Sequence, residues 1–252
     1  MSNKVVLRHY EKYSVLTINR PEKRNAISSD VIALLDRCLD EIIASPSTRL
    51  LIINGSGNQA FCAGGDLNEF HGDMSEEEAY TLLSSMQHVL WKLFTLPIPT
   101  IAWMNGSARG GGMEIASACD FRFVRPDSSY GFTQGQLGIA TGWGGGTLLY
   151  KRIEAQIAFY WLIEAGIKSA EELHSAGFAQ EIMEDAEIDV TNILLRPFTQ
   201  RSNQQLRHWK SQWLRSLNLN ELKDQMNEEV RACSKLWVSE EHKVAVKNFF
   251  KK

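Results

Sequence analysis

Cysteine is scarce in this 252-residue chain. The four that occur, Cys38, Cys62, Cys119 and Cys233, lie far apart and form no CxxC pair. That spacing speaks against a disulfide framework and a cysteine-based zinc site, and it fits reduced, mostly buried thiols in the cytosol. The six histidines are scattered too, with no HExxH and no His/carboxylate cluster, so no metal site is expected. No run reaches ~18 uninterrupted apolar residues, and the first ten residues lack the apolar region of a signal peptide. Neither a membrane span nor a membrane partner is expected. A basic excess is missing as well: the formal charge of −3 argues against a dedicated nucleic-acid binder. Also absent are GxxxxGK[ST], GxGxxG and GxSxG, which removes the phosphate loop, the dinucleotide fingerprint and the nucleophile elbow. No composition break marks a linker, and no fixed-period repeat is evident.

What is present suits a sizeable core. The chain is 44% hydrophobic and 23% charged, enough for one large domain or a domain with a helical appendage. Charge is uneven: residues 191–252 carry twelve Lys/Arg against six Asp/Glu, and the other 190 carry 15 against 24. This +6 tail reads as a solvated helical face or an anion-binding one. Alternation over 5–7 and 14–19 predicts a hairpin that runs into the turn Arg20-Pro21-Glu22-Lys23. Apolar spacing at Val31, Leu34, Leu35, Leu39, Ile42 and Ile43 predicts a helix over 28–45, with Ser28 or Ser29 as its cap. A short strand over 50–54 follows, and Ser75 with Glu78 forms a capping box that opens a long helix to about Leu96. Strands are expected over 100–104, 121–124 and 130–132, with a helix over 110–119 between the first two. The glycine-rich turn 142–146 leads into a helix through Arg152, and helices dominate from Glu154 onward. Strand–strand–helix units therefore fill the first two thirds.

Two glycine turns carry the candidate chemistry: Ala60-Phe-Cys-Ala63-Gly64-Gly65-Asp66-Leu, and Gly106-Ser-Ala-Arg-Gly110-Gly111-Gly112-Met-Glu114. Glycine lets a backbone approach a ligand with no β-carbon in the way. A helix start adds unpaired N–H groups and the positive end of the helix dipole, which suit a developing anion. Two such turns together would make a two-donor oxyanion hole. The plainer reading is that Gly-Gly-Gly only permits close helix–strand packing.

Taken in order, the pieces resemble the crotonase superfamily, the enoyl-CoA hydratase/isomerase family, over almost the whole length. The resemblance rests on Asn19-Arg-Pro-Glu-Lys-Arg-Asn25-Ala-Ile, Ala60-Phe-Cys-Ala-Gly-Gly65-Asp66-Leu and Asn105-Gly106 with Gly110-Gly-Gly-Met-Glu114. Ala118-Cys-Asp120-Phe-Arg, Leu137-Gly138-Ile and Gly142-Trp-Gly-Gly complete it. It implies an α/β fold, a spiral of ββα turns over 1–190 as the catalytic core, closed by a helical trimerisation segment over 191–252. Homotrimers, often paired into hexamers, are implied with it. Carried across, Gly65 and Gly111 become the oxyanion-hole donors and Glu114 the first catalytic carboxylate. The substrate is an acyl-CoA thioester, coenzyme A arriving as part of it and not as a bound cofactor. Ala63 is placed at the CoA, and Phe249 and Lys252 match the C-terminal Phe and Lys that contact its nucleotide. Lys23 or Arg24 is a further candidate phosphate partner.

One position departs from the pattern. The hydratases place a second glutamate four residues before the glycine of Leu-Gly-Ile, and here that position is Gln134. An amide orients water or substrate but does not trade a proton near neutral pH. Asp66 or Glu69 is the possible substitute carboxylate. Ala118-Cys-Asp-Phe-Arg with Gly142-Trp-Gly-Gly is similar to the ethylmalonyl- or methylmalonyl-CoA decarboxylase branch, which also lacks the second glutamate. Hydratase/isomerase-type chemistry is therefore the first expectation and decarboxylation of a malonyl-type thioester the second. Two further readings are a catalytically silent CoA-binding scaffold and RNA binding; against the latter, the helix over 28–45 has only Arg37 as a basic residue.

Overall fold

A computed structural model describes residues 4–70, 74–184, 187–189, 192–249 and 251. In chain order its strands are β1 (Val5–His9), β2 (Ser14–Ile18), β3 (Leu51–Gly55), β4 (Ala60–Cys62), β5 (Thr100–Met104), β6 (Ser107–Arg109), β7 (Phe121–Val124), β8 (Tyr130–Gly131) and β9 (Glu181–Ile182). The helices are α1 (Ser29–Ala44), α2 (Leu67–Phe70), α3 (Glu76–Phe94), α4 (Gly111–Ala118), α5 (Gly145–Leu149), α6 (Ala155–Glu164) and α7 (Ala170–Ser175). Four more close the chain: α8 (Arg196–Thr199), α9 (Asn203–Arg215), α10 (Leu219–Trp237) and α11 (Glu240–Phe249).

The expected hairpin forms, with β1 and β2 antiparallel from Val5↔Ile18 to His9↔Ser14. The later pairings between these strands are parallel, giving a six-stranded sheet β1-β2-β3-β5-β7-β9 and a small sheet β4-β6-β8. Both faces of the large sheet are covered, as parallel strands require. Leu51 and Ile53 of β3 face the main core with Val31, Leu35 and Leu39 of α1, whereas Leu50 and Ile52 meet Tyr13, Ile101 and Trp103 on the opposite side. The α3 capping box is present, Ser75 Oγ accepting from the Glu78 N–H while Glu78 accepts from the Ser75 N–H.

Some expectations shift. Ser28 sits at the start of α1 in extended conformation, but its hydroxyl bonds Asp30 and caps no backbone N–H, and Ile43 is about half exposed. The helix expected through Arg152 ends at Leu149. Arg152 turns inward instead, its Nε donating to the Ser117 carbonyl at 2.8 Å. Arg122 donates to the Cys119 carbonyl at 2.8 Å, and Lys210 of α9 is ion-paired to Asp120. Cations thus collect at the negative end of α4, where the helix dipole favours them. The motif Ala118-Cys-Asp120-Phe-Arg122 is accordingly a helix terminus, remote from the cavity described below. The strands β4 and β6 lie in stretches that read as turns, and β9 in the stretch after Glu154 that reads as helical. Within 191–252, α10 buries Leu222, Met226, Val230 and Cys233 in the same core as the β-strands. No described helix is long and apolar enough to cross a membrane.

Candidate active site

The small sheet builds the site. β4 and β6 pair in parallel at Ala60↔Ser107 and Cys62↔Ala108, and β6 pairs with β8 at Ala108↔Tyr130 and Arg109↔Gly131. Parallel strands end at one edge, so the loops that leave them emerge side by side, where α/β sheets bind their ligands. The three loops are Ala63-Gly64-Gly65, Gly110-Gly111 and Thr133-Gln134. A β-carbon on Gly64 would lie 3.1 Å from the Gly111 amide nitrogen, so the two glycine turns touch. Loop fasteners hold this edge in place. Asn25 is fully buried and gives its side-chain NH₂ to the carbonyls of Ala60 and Ser56, and Asn105 gives its own to Gly55 and Gly57.

Neither the Gly65 N–H nor the Gly111 N–H has a protein acceptor among the described residues. Gly111 is the first residue of α4, where helix amides lack intrahelical partners. The Trp143 ring covers both turns. β-Carbons built on Gly65 and Gly111 would fall 3.7 and 2.1 Å from it, so any side chain at Gly111 would displace the indole.

Glu114, three residues into α4 and 2% exposed, is held by four donors. Its Oε1 accepts from Gln134 Nε2 at 2.9 Å and the Gly142 N–H at 3.3 Å; its Oε2 accepts from the N–H groups of Trp143 at 2.8 Å and Gly145 at 2.9 Å. A β-carbon on Gly145 would overlap that of Glu114 at 2.2 Å, so only glycine lets the turn come this close. Burial pushes the Glu114 carboxyl up to about 8, with the nearby Glu229 charge adding to it and the three backbone donors pulling back. At neutral pH it is therefore mostly protonated. Gln134 is buried beside it, and its Oε1 has no protein partner among the described residues.

These groups line one cavity of about 740 Å³. Its wall includes the expected Gly65, Gly111, Glu114, Gln134, Ala63, Arg24 and Phe249. Lys23, in the 3₁₀ turn Pro21–Lys23, is exposed and outside the lining, and Lys252 lies outside the described residues. Asp66 and Glu69 are outside it too. Asp66 is tied to Arg20 at 2.8 Å; burial raises its pKa, but the Arg20 hydrogen bond and charge outweigh that and hold it low. Glu69 accepts from the Ser29 N–H at 2.9 Å. Neither supplies the second carboxylate. Several wall residues were missed in the sequence: Arg109, and from the last two helices Cys233, Trp237, Val244 and Ala245. No local pattern marks them; they arrive because α11 docks on the 3₁₀ turn Gln134–Leu137, His242 Nδ1 lying 2.6 Å from the Leu137 carbonyl. Arg109 is the exception, since it precedes the glycine triplet. Burial and the like charge of Arg24 depress its pKa.

Comparison with known proteins gives the family and the fold. The chain is 35% identical over 183 residues to an enoyl-CoA isomerase/hydratase of Zymoseptoria tritici, covering 71% of this chain and 59% of that protein. It is 33% identical over 184 residues to a crotonyl-CoA hydratase of Syntrophomonas wolfei, covering 73% and 70%. Among such curated relatives the matched part spans about half to 70% of their length. In fold, the crystal structure of an enoyl-CoA hydratase from Bacillus halodurans superimposes with a TM-score of 0.88 at 22% identity, covering 98% of this chain and all of that one. The family model described as enoyl-CoA hydratase/isomerase matches residues 9–252, and the chain belongs to that family.

Proposed function

We propose that this protein acts on an acyl-CoA thioester in the cytosol, holding its enolate between the Gly65 and Gly111 N–H groups and moving one proton with Glu114. The observation that carries this reading is convergence: two unengaged amides and one buried carboxyl, protonated at neutral pH, share a single cavity wall. The thioester oxygen becomes anionic as the enolate forms, and each well-placed donor is worth on the order of 3 kcal/mol there. Arg24 and Arg109 line the same cavity with like charges close together, a repulsion that a CoA phosphate would relieve. Ala63 and Phe249 complete the surface offered to the CoA moiety. The names of the relatives, hydratases and isomerases of enoyl-CoA, fit this substrate class, and four unpaired thiols fit a reducing compartment. Assembly as a homotrimer or a pair of trimers belongs to the same proposal.

A second reading, decarboxylation of a malonyl-type CoA, is favoured by one observation. The position expected to hold a second carboxylate is an amide bonded to Glu114, and neither Asp66 nor Glu69 reaches the cavity. Decarboxylation needs one acid only. The bond from the α-carbon to the carboxylate breaks, CO₂ leaves, the electron pair forms the enolate, and the Glu114 proton goes to the α-carbon before solvent restores it.

Mass spectrometry of products from crotonyl-CoA, a 3-enoyl-CoA, methylmalonyl-CoA and ethylmalonyl-CoA separates these outcomes. Efficient hydration of crotonyl-CoA by the wild type would sink decarboxylation. Thermal stabilisation by RNA but not by acetyl-CoA would sink both readings.

A further inference from the structure

The turn that follows Gln134 is shared between two carboxylates from different helices. Along residues 142–147 the N–H groups of Gly142, Trp143 and Gly145 donate to Glu114 of α4. Those of Gly144, Gly146 and Thr147 donate to Glu229 of α10, at 3.0, 3.2 and 2.6 Å, and the Thr147 hydroxyl joins them at 2.7 Å. The two sets interleave: Gly144 is bonded to Glu229 between two residues bonded to Glu114, and Gly145 to Glu114 between two bonded to Glu229. The amides of Gly145, Gly146 and Thr147 open α5 and have no intrahelical acceptors, and those of Gly142, Trp143 and Gly144 lead into it. Neither set can rotate without carrying the other.

We propose that Glu229 is a positioning residue for Glu114: by fixing Gly144, Gly146 and Thr147 it keeps the interleaved amides of Gly142, Trp143 and Gly145 aimed at the acid–base carboxyl. This rests on the role given to Glu114 above. Nothing in the local sequence around Glu229 signals it, because the partner turn lies more than eighty residues away.

The arrangement also has an electrostatic side. Glu229 and Cys233 of α10 face Glu114, while Cys233, Glu114 and Tyr150 at the end of α5 face Glu229. Arg24, Arg109 and Glu241 are the charged groups elsewhere on the cavity wall. Burial raises the Cys233 thiol well above its usual range, so it stays neutral. Removing the Glu229 charge therefore lowers the pH at which Glu114 ionises.

The test compares wild type, Glu229→Gln and Glu229→Ala. Three quantities are read: kcat against pH on whichever of crotonyl-CoA or ethylmalonyl-CoA the wild type turns over, KM, and an infrared titration of the Glu114 carboxyl, its band assigned by loss in Glu114→Gln. Glu229→Ala should lower kcat by on the order of 10- to 100-fold with little change in KM, the scale of a misplaced catalytic group. In the nearly isosteric Glu229→Gln, the Glu114 band and the matching limb of the kcat profile should both move to lower pH, by about one pH unit. A Glu229→Gln protein with a lower Tm but an unmoved Glu114 titration would overturn the proposal and leave Glu229 a simple helix cap. Unchanged turnover in Glu114→Gln would overturn the catalytic reading of Glu114 instead. The infrared titration still decides whether Glu229 acts on that carboxyl, because it needs no turnover.

Discussion

At the scale of single residues, the proposed chemistry turns on the pairing of Glu114 with Gln134. Glu114→Gln should keep CoA binding and lower kcat by about 100-fold or more, the usual loss for a general acid or base; steady-state kinetics and acetyl-CoA binding check it. The same variant reports through stability. The folded-state value of about 8 lies above the usual 4.5, so the folded protein binds the extra proton between those limits. Wild type should then lose stability relative to Glu114→Gln as pH rises from about 4.5 to about 8, and parallel melting curves across that range would contradict the sign. At Gln134 a carboxylate would stand 2.9 Å from Glu114, and the two would share a proton. Gln134→Glu should therefore raise hydration of crotonyl-CoA. It should impair release of CO₂ from ethylmalonyl-CoA, since an added negative charge about 4 Å from the substrate carboxylate costs on the order of 4 kcal/mol at an effective dielectric near 20. Product assays on both substrates read this directly, and a variant that changes neither activity would show that Gln134 does not face the acyl group. The glutamine was legible in the sequence. Its hydrogen bond to Glu114, and the exclusion of Asp66 and Glu69, were not, because both depend on which way side chains point after folding.

Elements act here through their ends. α4 supplies Gly111 at its start and Glu114 one turn later, while its far end is neutralised by Arg122, Arg152 and Lys210. The start of α4 leans on Trp143, so Gly111→Ala should cost roughly 1–3 kcal/mol of stability through overpacking. Combining it with Trp143→Ala should return part of that loss, because the two changes touch the same space and are not additive. Thermal denaturation of the three variants tests it; strictly additive losses would place Trp143 elsewhere. Long periodic elements such as α1, α3 and β5 were readable from spacing and caps. The two- and three-residue strands β4, β6 and β9 are too short to carry a period, whereas β8 falls within the strand expected over 130–132. Yet β4 and β6 bring the glycine turns together.

For the molecule as a whole, the question is what covers its remaining apolar surface. Much of the apolar content of 191–252 is absorbed within the chain: Leu222 is buried, and Trp213, Leu214, Leu217 and Leu219 pack partly against the core. Exposed apolar residues remain both there and on α6. Phe159, Tyr160 and Ile163 of α6 are each 58–65% exposed, and Trp209 of α9 is half exposed. A contiguous apolar helix face of this kind is a candidate interface, and the proposed trimer is what would cover it. The protein should accordingly scatter light as a trimer or a pair of trimers at micromolar concentration, and Phe159→Glu with Ile163→Glu should shift it toward smaller species. A wild-type monomer under those conditions would contradict the assembly.

The sequence by itself determined the order of the large elements, the family, and the residue types at the two glycine turns, Glu114 and Gln134. Those features are local: a cap, a period or a motif is complete within a dozen residues. Tertiary structure alone decided which N–H groups stay free, how far burial raises the Glu114 carboxyl, that Glu229 shares its turn, and that α10 and α11 close the cavity. Each of these depends on contacts between residues from tens to more than a hundred positions apart. Solvent exclusion and hydrogen-bond ownership exist only once the chain has packed.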